Sequence, residues 1–381
     1  MTDVYVIGAG IIPFARHEAS SLTDLSVEAA YQAIKDSGIV PHRIDSGYFA
    51  SVLGGRLFGD STLGQSVFAE VGISGGPIVN IENACASGSS AVCLAYNALS
   101  AGQSDYAIVV GAEKMCVPGL GLLNSGESDI ETKLGLVTPA SFALRAQRHM
   151  YEFGTTLEQM AQVSVKNRRH AAANPIAFFR QPVTLEEVLN APMITDPLTR
   201  PQCCPMADGA AALVLASGSA ISNNKRAIKI NAAVLTSGSY QNPIDLVRWE
   251  TDQRSCRLAY EKAGMGPDDL DLVECHDAFT IAEIIHYEAL GLCEVGEGGR
   301  LVAEGATSLG GRIPVNVSGG LIGRGHPVAA TGVAQIVEVV AQLRGEAKER
   351  QVDGAKVGLA HCMGADRQGD ARSCTVAILS S

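Results

Sequence analysis

The chain has 381 residues, of which 46% are hydrophobic, and its formal net charge is −11. This length predicts two domains, or one domain built from two related halves. The acidic balance argues against nucleic acid as a partner, because no excess of Lys and Arg is available for phosphates. No apolar run approaches the roughly 20 residues of a membrane span, and the first residues lack the pattern of a signal peptide.

The ten cysteines fall at irregular spacings without a CxxC pair. This usage predicts reduced thiols in a cytoplasmic protein, with neither a disulfide framework nor a bound metal.

Short apolar runs alternate with helical patterns along the chain, which is typical of βαβ units in an α/β protein. Amphipathic stretches at 25–37 and 333–343 predict helices. The predicted strands are 4–7, 78–81, 107–110, 211–215, 228–232, 270–273, 314–317, 357–360 and 374–379.

The segment from about 117 to 200 is more polar and more helical than its surroundings, so it is interpreted as an insertion between strands of the first half. Thr156 and Gln159 carry the pattern of a capping box ahead of a helix. Lys166, Arg168 and Arg169 follow, and they could bind an anionic ligand or form a solvated helix face.

An internal echo relates two parts of the sequence. The run PIVNI at 77–81 resembles IPVNV at 313–317, and each leads into a turn rich in Gly and Ser and then into a helix. Cys85 follows the first copy and His326 follows the second.

Cys85 is the first candidate catalytic residue, in the stretch NIENACASGSSA. It precedes a predicted helix, whose free N–H groups and macrodipole favour a thiolate. The small residues after it are interpreted as room for an acyl group and as a source of amides for an oxyanion. The alternative is a buried structural cysteine, the usual fate of a free thiol.

His326, in SGGLIGRGHP, is the second candidate. It lies before a proline at a predicted helix start, where the dipole keeps an imidazole neutral and able to act as a general base for a thiol. Two further candidates, His276 in HDAF and Cys362 in HCMG, are predicted to lie directly after buried strands. Side chains at such strand ends commonly contact ligands in α/β sheets.

With these motifs in place, nearly the whole chain resembles a thiolase. The matching features, in the family's order, are CAS at Cys85, GAEKM at 111–115, MADGAAALVLAS at 206–217, HDAF at His276, NVSGG and GRGHP at 316–327, and CMG at 362–364. The resemblance implies an α/β thiolase fold of two βαβαβαββ halves in a five-layer αβαβα sandwich. The halves would be residues 1–220 and 221–381, with an inserted loop domain at about 117–200.

The resemblance also implies roles for the site residues. The Cys85 thiolate, activated by His326, would take an acyl group from a CoA thioester, and Cys362 would move the α-proton of the second substrate. The amides of Cys85 and Gly364 would form one oxyanion hole, and His326 with His276 would form the other. Coenzyme A or acyl-CoA is thus expected as substrate, with no permanently bound cofactor. The residues expected to be able to contact CoA are Lys166, Arg168, Arg169, Gly319 and Gly320.

Two departures from the usual family pattern narrow the resemblance. Ordinary thiolases read NEAF where this chain reads HDAF, so the chain is more similar to sterol-carrier-protein thiolases and archaeal acetoacetyl-CoA thiolases. The sterol-carrier type has Cys where this chain has Ala278, and Asn where it has Cys362. The proton-transfer thiol is therefore expected in the C-terminal motif.

The leading interpretation is a thiolase that cleaves a 3-oxoacyl-CoA with CoA or runs the reverse Claisen condensation, in fatty acid or aromatic acid metabolism. The alternatives are a ketoacyl synthase-like or retro-aldol enzyme on the same fold, and a non-catalytic thiolase-like scaffold subunit. A homodimer or a dimer of dimers is the family's usual assembly, and a small partner with an OB-fold and a zinc ribbon is a further expectation.

Overall fold

The computed structural model of the chain describes residues 2–124, 126, 129–221, 224–241 and 244–381. Ser125, Glu127 and Ser128, which belong to the predicted insertion, lie outside the described residues. The strands are β1 (Val4–Ile11), β2 (Ser46–Ala50), β3 (Ile78–Ile81), β4 (Tyr106–Glu113), β5 (Met193–Thr195), β6 (Leu198–Thr199), β7 (Gly209–Ser217), β8 (Ile228–Ser237), β9 (Leu272–Glu274), β10 (Val357–Arg367) and β11 (Asp370–Ser380).

The α-helices of the first half and its insertion are α1 (Leu22–Ser37), α2 (Gly54–Phe58), α3 (Leu63–Glu70), α4 (Ser87–Ser100), α5 (Ile130–Lys133), α6 (Thr138–Phe153), α7 (Leu157–Ala172) and α8 (Leu185–Leu189). Those of the second half are α9 (Glu250–Ala263), α10 (Thr280–Ala289), α11 (Gly298–Ala303), α12 (Gly320–Arg324) and α13 (Thr331–Leu343). Capping boxes begin α1 and α7, and the second of these is the predicted pair Thr156 and Gln159. Each side chain accepts or receives a bond from an otherwise unpaired backbone group of the first turn.

Nine strands form one sheet in the order β3-β2-β4-β7-β1-β8-β11-β10-β9. The two halves meet where β1 pairs with β8 in antiparallel fashion. Outward from this junction both halves repeat one pattern: two antiparallel steps lead to β4 or β10, and a parallel strand, β2 or β9, follows. The fifth position is β3 in the first half and the segment around Val315 in the second, which pairs with Val273. The sequence echo therefore corresponds to a structural repeat.

Helices cover the sheet in layers. α4 and α13 lie between the two halves of the sheet, where they contact each other and strands of both halves. α1 and α3 cover the outer face of the first half, and α9 covers that of the second. α7, in the inserted segment between β4 and β7, packs against α10, α11 and α12. This is the layered α/β thiolase architecture that the sequence predicts.

Three predicted strand features are wrong in detail. β2 was missed because SGYFA has neither a long apolar run nor a clear alternation. Residues 314–317 form only a bridge at Val315 and not a full strand. β10 continues to Arg367, so His361 and Cys362 lie within the strand and not after it. Among the described residues, every helix is too short or too polar to cross a bilayer.

Candidate active site

Cys85 lies in the short turn between β3 and α4. The backbone N–H of Asn83 donates to Ser87 Oγ at 2.7 Å, and Asn83 Nδ2 donates to Ser90 Oγ at 2.9 Å, so the first turn of α4 holds the segment that precedes it. Ala84 has a φ of 49°, in the left-handed region. These contacts fix the backbone on both sides of Cys85 and place its sulfur just before the helix.

The small residues after Cys85 let two helices meet closely. A Cβ on Gly88 would overlap the carbonyl oxygen of Ala329, and a Cβ on Gly332 would lie 2.6 Å from Ser89 Cβ. Small residues near the start of α4 thus pack against small residues near the start of α13. The interpretation of this run as room for an acyl group is corrected here: its main task is to let the two halves approach until Cys85 and His326 meet.

His326 lies between α12 and a short 3₁₀ turn at Val328–Ala330 that leads into α13. Its Nδ1 is 2.7 Å from the hydroxyl oxygen of Thr331, and that hydroxyl donates to the carbonyl oxygen of Pro327 at 3.1 Å. Because the single hydroxyl proton is used on Pro327, Thr331 can only accept from His326. Nδ1 therefore carries the proton, and Nε2 has a free lone pair.

Four predicted site residues come together from both halves of the chain. The Cys85 sulfur and one ring nitrogen each of His276 and His326 lie within 4.8 Å of one another. The two imidazole rings stand edge to face, with centroids 5.2 Å apart. Cys362 Sγ is 3.2 Å from the carbonyl oxygen of Cys85 and 3.5 Å from Nδ1 of His276. The site thus contains two thiols and two imidazoles.

The environment keeps the Cys85–His326 pair uncharged. Although Cys85 as a residue is half-buried, its sulfur is surrounded by protein, and this burial raises the pKa of the thiol to about 12, against the opposing effect of the Ala365 and Cys85 amides. Burial, followed by the Arg324 charge, lowers the pKa of His326 to about 3. The helix-dipole argument predicted a thiolate, but burial outweighs the dipole. The resting pair is a thiol beside a neutral imidazole, which suits general-base catalysis.

Cys362 and His276 are also held in their neutral forms. Burial, followed by the neighbouring Cys85, raises the pKa of the Cys362 thiol above its ordinary value. Burial, followed by His326, lowers the pKa of His276 well below its ordinary value. Gly364 packs against the turn that carries Cys85, since a Cβ there would lie 2.6 Å from the carbonyl oxygen of Asn83. Its expected role in an oxyanion hole stays a prediction.

An apolar cluster flanks the Cys85 sulfur. Its buried members are Leu53, Met115 and Val328, and half-buried side chains pack against them together with Cys85: Val52, Leu57, Leu120 and Leu123. Glu113 supports one wall, because its carboxylate accepts hydrogen bonds from the backbone N–H groups of Val52 and Leu53 at 2.9 and 3.0 Å. The space beside the nucleophile is therefore bounded by hydrocarbon.

Lys166 does not lie where a CoA contact requires it. Its ammonium group is fully buried, 2.6 Å from Glu283 Oε1, and it donates to the carbonyl oxygen of Val315 at 2.8 Å. Glu283 also accepts hydrogen bonds from Asn167 and Asn316, each at 2.6 Å. Lys166 is the counter-charge of a buried polar network, so the expectation that it contacts CoA is corrected.

The two glycines proposed for CoA also have packing roles. A Cβ on Gly319 would collide with Ala171 of α7, and a Cβ on Gly320 would overlap the carboxylate of Asp277. That carboxylate accepts the backbone N–H of Leu321 at 2.7 Å, so it holds the first turn of α12. The glycines allow these contacts and form no open cradle for a ligand.

The remaining two cations of the predicted set differ in exposure. Arg168 is half-buried, with its guanidinium 4.2 Å from the centroid of the Phe179 ring and its Nε donating to the carbonyl oxygen of Gln181. Arg169 is exposed. Only these two remain available for an anionic substrate, and their contact with CoA stays a prediction.

Sequence reasoning missed a buried cluster behind the site. Asp252 Oδ2 lies 2.7 Å from Nδ1 of His286, and Asp252 Oδ1 lies 3.0 Å from Nε2 of His361. Nε2 of His286 donates to the carbonyl oxygen of His276 at 3.1 Å and so steadies the HDAF turn. Asp252 and His286 are on α9 and α10, remote from any recognisable motif, so the sequence carried no signal for them.

Two groups of side chains have donor types that could hold a metal ion: Cys85 with His276 and His326, and Asp252 with His286 and His361. In the second group the 2.7 Å contact is a hydrogen-bond distance, whereas two ligands of a tetrahedral zinc ion stand roughly 3.3 Å apart. Both ring nitrogens of His286 also have partners. We therefore interpret the second group as a hydrogen-bonded cluster, and the first as a thiol–imidazole site.

Solved structures share this fold over the whole chain. An assembly named Ltp2-ChsH2(DUF35) aldolase is 26% identical with a TM-score of 0.84, and the match covers 100% of this chain and 98% of the other. Human mitochondrial 3-ketoacyl-CoA thiolase has a TM-score of 0.75 at 19% identity, covering 100% and 99% of the two chains, which shows the fold alone.

Sequence relatives are closer. Benzoylsuccinyl-CoA thiolase subunit BbsB of Thauera aromatica is 39% identical, over 95% of this chain and 94% of the relative. Acetyl-CoA acetyltransferase of Methanothermobacter thermautotrophicus is also 39% identical, over 96% and 97%. Bovine sterol carrier protein 2 is 38% identical, over 95% of this chain and 70% of its own length.

Two family models match the sequence as well. The model described as "Thiolase, N-terminal domain" matches residues 4–219, and the one described as "Thiolase C-terminal domain-like" matches residues 232–381. Together with the repeated halves and the motifs that converge at Cys85, these matches show that the chain belongs to the thiolase family.

Proposed function

We propose that this protein is a CoA-dependent acyltransferase that forms a thioester on Cys85, cleaving a 3-oxoacyl-CoA with CoA or catalysing the reverse Claisen condensation. One observation carries the proposal: the Cys85 sulfur and a ring nitrogen of each of His276 and His326 lie within 4.8 Å of one another, with the Cys362 thiol beside them. Two thiols and a neutral base are the groups that this two-stage reaction requires.

Cleavage would begin with the 3-oxo carbon of the substrate beside Cys85. As the sulfur attacks this carbon, Nε2 of His326 takes the thiol proton. The bond between C2 and C3 then breaks, which leaves the acyl group on Cys85 and an enolate of acetyl-CoA that takes a proton from Cys362. A second CoA then attacks the acyl thioester, its thiol proton passes to Cys362, and His326 returns its proton to the departing Cys85 sulfur.

The proposed oxyanion contacts divide between the two stages. The amides of Cys85 and Gly364 would stabilise the oxygen of the tetrahedral acyl intermediate, and His276 with His326 would stabilise the enolate oxygen. Fixed donors of this kind are effective in a buried site because they need little reorganisation as charge develops.

The apolar cluster beside Cys85 favours an apolar acyl group for transfer. Leu120 and Leu123 come from the inserted segment, and Leu53 and Leu57 come from the region of α2. A carboxylate on the transferred acyl group would lose hydration there without gaining a cation. We therefore propose aliphatic or aromatic acyl groups without charge.

The direct test is thiolysis across a panel of 3-oxoacyl-CoA esters, measured with and without any protein that co-purifies from the native host. We expect cleavage of esters with uncharged acyl groups and weak cleavage of those whose transferred acyl group carries a carboxylate. Inactivity on every ester, together with a Cys85 that acetyl-CoA does not acylate, would refute the proposal.

A retro-aldol reaction is the second candidate, because the structure with a TM-score of 0.84 is named an aldolase. Aldol cleavage of a 3-hydroxyacyl-CoA needs no acyl-enzyme. A Cys85→Ala variant that still cleaves a 3-hydroxyacyl-CoA would favour this candidate. Condensation of malonyl-CoA that survives Cys362→Ala would instead favour a ketoacyl synthase-like reaction, and a Cys85 inert to acetyl-CoA and iodoacetamide would favour a scaffold.

For assembly we propose a homodimer that pairs through β3. This strand is the edge of the sheet and bonds to β2 alone within the sheet, and the side chain of Val79 at its centre is exposed. A long unprotected edge is a template for pairing with a second chain. A dimer of dimers and a small partner protein remain part of the proposal, the latter supported by the relative named a subunit and the assembly named with DUF35.

We also propose the division into halves at residues 1–220 and 221–381, with the inserted loop domain at about 117–200. The chain passes from β7 to β8 between residues 217 and 228, where the repeat begins again.

Replacing Thr331 by valine should slow acylation of Cys85 about tenfold, because loss of the acceptor for His326 Nδ1–H frees the ring to adopt the wrong tautomer and costs about one buried hydrogen bond. The measurement is the pre-steady-state rate of Cys85 acetylation by acetyl-CoA. Thr331→Ser keeps the hydroxyl and is the matched control. Equal rates in the valine variant and the wild type would show that Thr331 does not set the tautomer.

The acylation rate should be nearly constant between pH 5 and pH 8. An imidazole with a pKa of about 3 is already neutral throughout this range, whereas one with the ordinary value of about 6.5 would lose activity tenfold per unit below it. Burial raises the pKa of Glu113 to about 7, so Glu113→Gln is the control for any inflection in this window. A decline below pH 6.5 that persists in Glu113→Gln would contradict the lowered pKa of His326.

A further inference from the structure

An enclosed cavity lies behind Cys362, on the boundary between α4, α13 and the strands β10 and β11. Its volume is about 10 Å³ for the centre of a water-sized sphere. Every residue of its wall is buried. Most of the wall is apolar, and the polar members are Ser89, Gln335, Cys362 and Thr375.

Gln335 is the unusual member of this wall. The residue is 0% exposed, and in the described part of the chain neither its Oε1 nor its Nε2 has a hydrogen-bond partner. A buried amide without partners loses its hydration with no compensation, which costs on the order of 1–3 kcal/mol for each group. Such an amide on the wall of a cavity implies a polar occupant.

The other polar side chains of the cavity already have bonds that fix their orientation. Thr375 Oγ1 donates to Ser89 Oγ at 2.7 Å, and Ser89 Oγ lies 3.1 Å from the carbonyl oxygen of Ala86. The hydroxyl oxygens and the Cys362 sulfur still have lone pairs for an additional donor. A molecule in the cavity could therefore bond to Gln335 on one side and to these atoms on the other.

The size of the cavity limits the occupant. About 10 Å³ for a probe centre is the space of one water molecule, and a buried water needs two to four polar partners. We propose that the cavity is a binding site for one water molecule, held by the Gln335 amide, that donates a hydrogen bond to the Cys362 sulfur.

This water would assist the proton transfer assigned to Cys362, a step that rests on the proposed function. In the resting state the Cys362 thiol donates to the carbonyl oxygen of Cys85. After it gives up its proton, the same carbonyl faces a thiolate and offers no donor. A water held from behind by Gln335 supplies one, so Gln335 is a positioning residue for the second thiol.

A crystal structure at a resolution that orders internal water tests the site itself. We expect a density peak within hydrogen-bond distance of the Gln335 amide in the wild type, and its loss in Gln335→Met, which keeps the length of the side chain and removes both polar atoms. Absence of the peak in the wild type, or its persistence in the variant, would overturn the proposal. This result does not depend on the reaction that the protein catalyses.

The kinetic test follows exchange of the methyl protons of acetyl-CoA with solvent deuterium, the half-reaction in which Cys362 would act. Gln335→Met should slow exchange about tenfold, the effect of one hydrogen bond to a charged group, and should leave acetylation of Cys85 unchanged. Gln342→Met, another buried glutamine on α13 whose amide bonds to Glu338 and Arg350 instead, is the matched control and should keep the wild-type exchange rate.

If Gln335→Met does not fold, Val92→Ile narrows the cavity from the opposite wall and should give the same selective slowing. Equal exchange rates in these variants and the wild type would overturn the role assigned to the water. A wild-type protein that is not acetylated on Cys85 would instead refute the proposed function, while the density test would still decide whether the site binds water.

Discussion

Replacing Cys85 by alanine is expected to lower acyl transfer by at least about 10⁴-fold, since removal of a covalent nucleophile leaves only the binding contributions of the site. The structure predicts little cost in stability, because the turn is held by Asn83 and Ser87 and not by the thiol. The measurements are the thiolysis rate and the mass of the protein after incubation with acetyl-CoA. The wild type should gain one acetyl group and the variant none.

Cys93 provides the control for Cys85. It lies on the same helix, and its thiol is buried, with burial raising its pKa to about 12. Its sulfur is 3.5 Å from the carbonyl oxygen of Val234, remote from both imidazoles of the site. Cys93→Ala should retain activity and acetylation. If Cys85→Ala keeps more than a small fraction of thiolysis, the nucleophile is another group.

Replacing Lys166 by methionine should lower the free energy of unfolding by about 3–5 kcal/mol, because the substitution leaves the fully buried Glu283 without its counter-charge. The measurement is denaturant unfolding followed by circular dichroism. Lys166 was expected from the sequence to be able to contact CoA, and a residue in that role would change KM for CoA with little effect on stability. The two roles therefore predict different experimental results.

Arg169 is the matched control on the same helix, because it is exposed. Arg169→Met should change stability by less than about 0.5 kcal/mol, and KM for CoA should rise if its guanidinium contacts the substrate. The double variant Lys166→Met with Glu283→Leu should recover part of the lost stability, since it removes both buried charges. A stable Lys166→Met protein with a raised KM would reverse the assignment made here.

The sequence predicted the elements that depend on local pattern. The apolar runs identified β3, β4, β7 and β8, and the Ser/Thr caps identified helix starts such as Thr156. The motifs around Cys85, His326, His276 and Cys362 led to four residues that the fold does bring together. Motifs succeed here because each chemistry-bearing residue lies in a short segment with its own glycines and prolines.

The sequence did not predict features that depend on contacts between distant segments. Lys166 looks like a surface cation in a polar helix, and only the tertiary fold shows that Glu283 lies beside its ammonium group. The same holds for Asp252 and for Gln335, whose surroundings come from other elements. The pKa of Cys85 is a third case, because its local position at a helix start favours a thiolate, whereas burial by both halves favours the thiol.

The contact between Gly88 and Ala329 has a consequence for how the reaction distance is maintained. The separation of sulfur and imidazole is set by a hard steric stop between the two halves, because a backbone oxygen already occupies the space of a side chain at Gly88. A stop of this kind has no direction and stretches in only one sense. A single methyl group at position 88 would act as a wedge, moving nucleophile and base apart together with the halves that carry them.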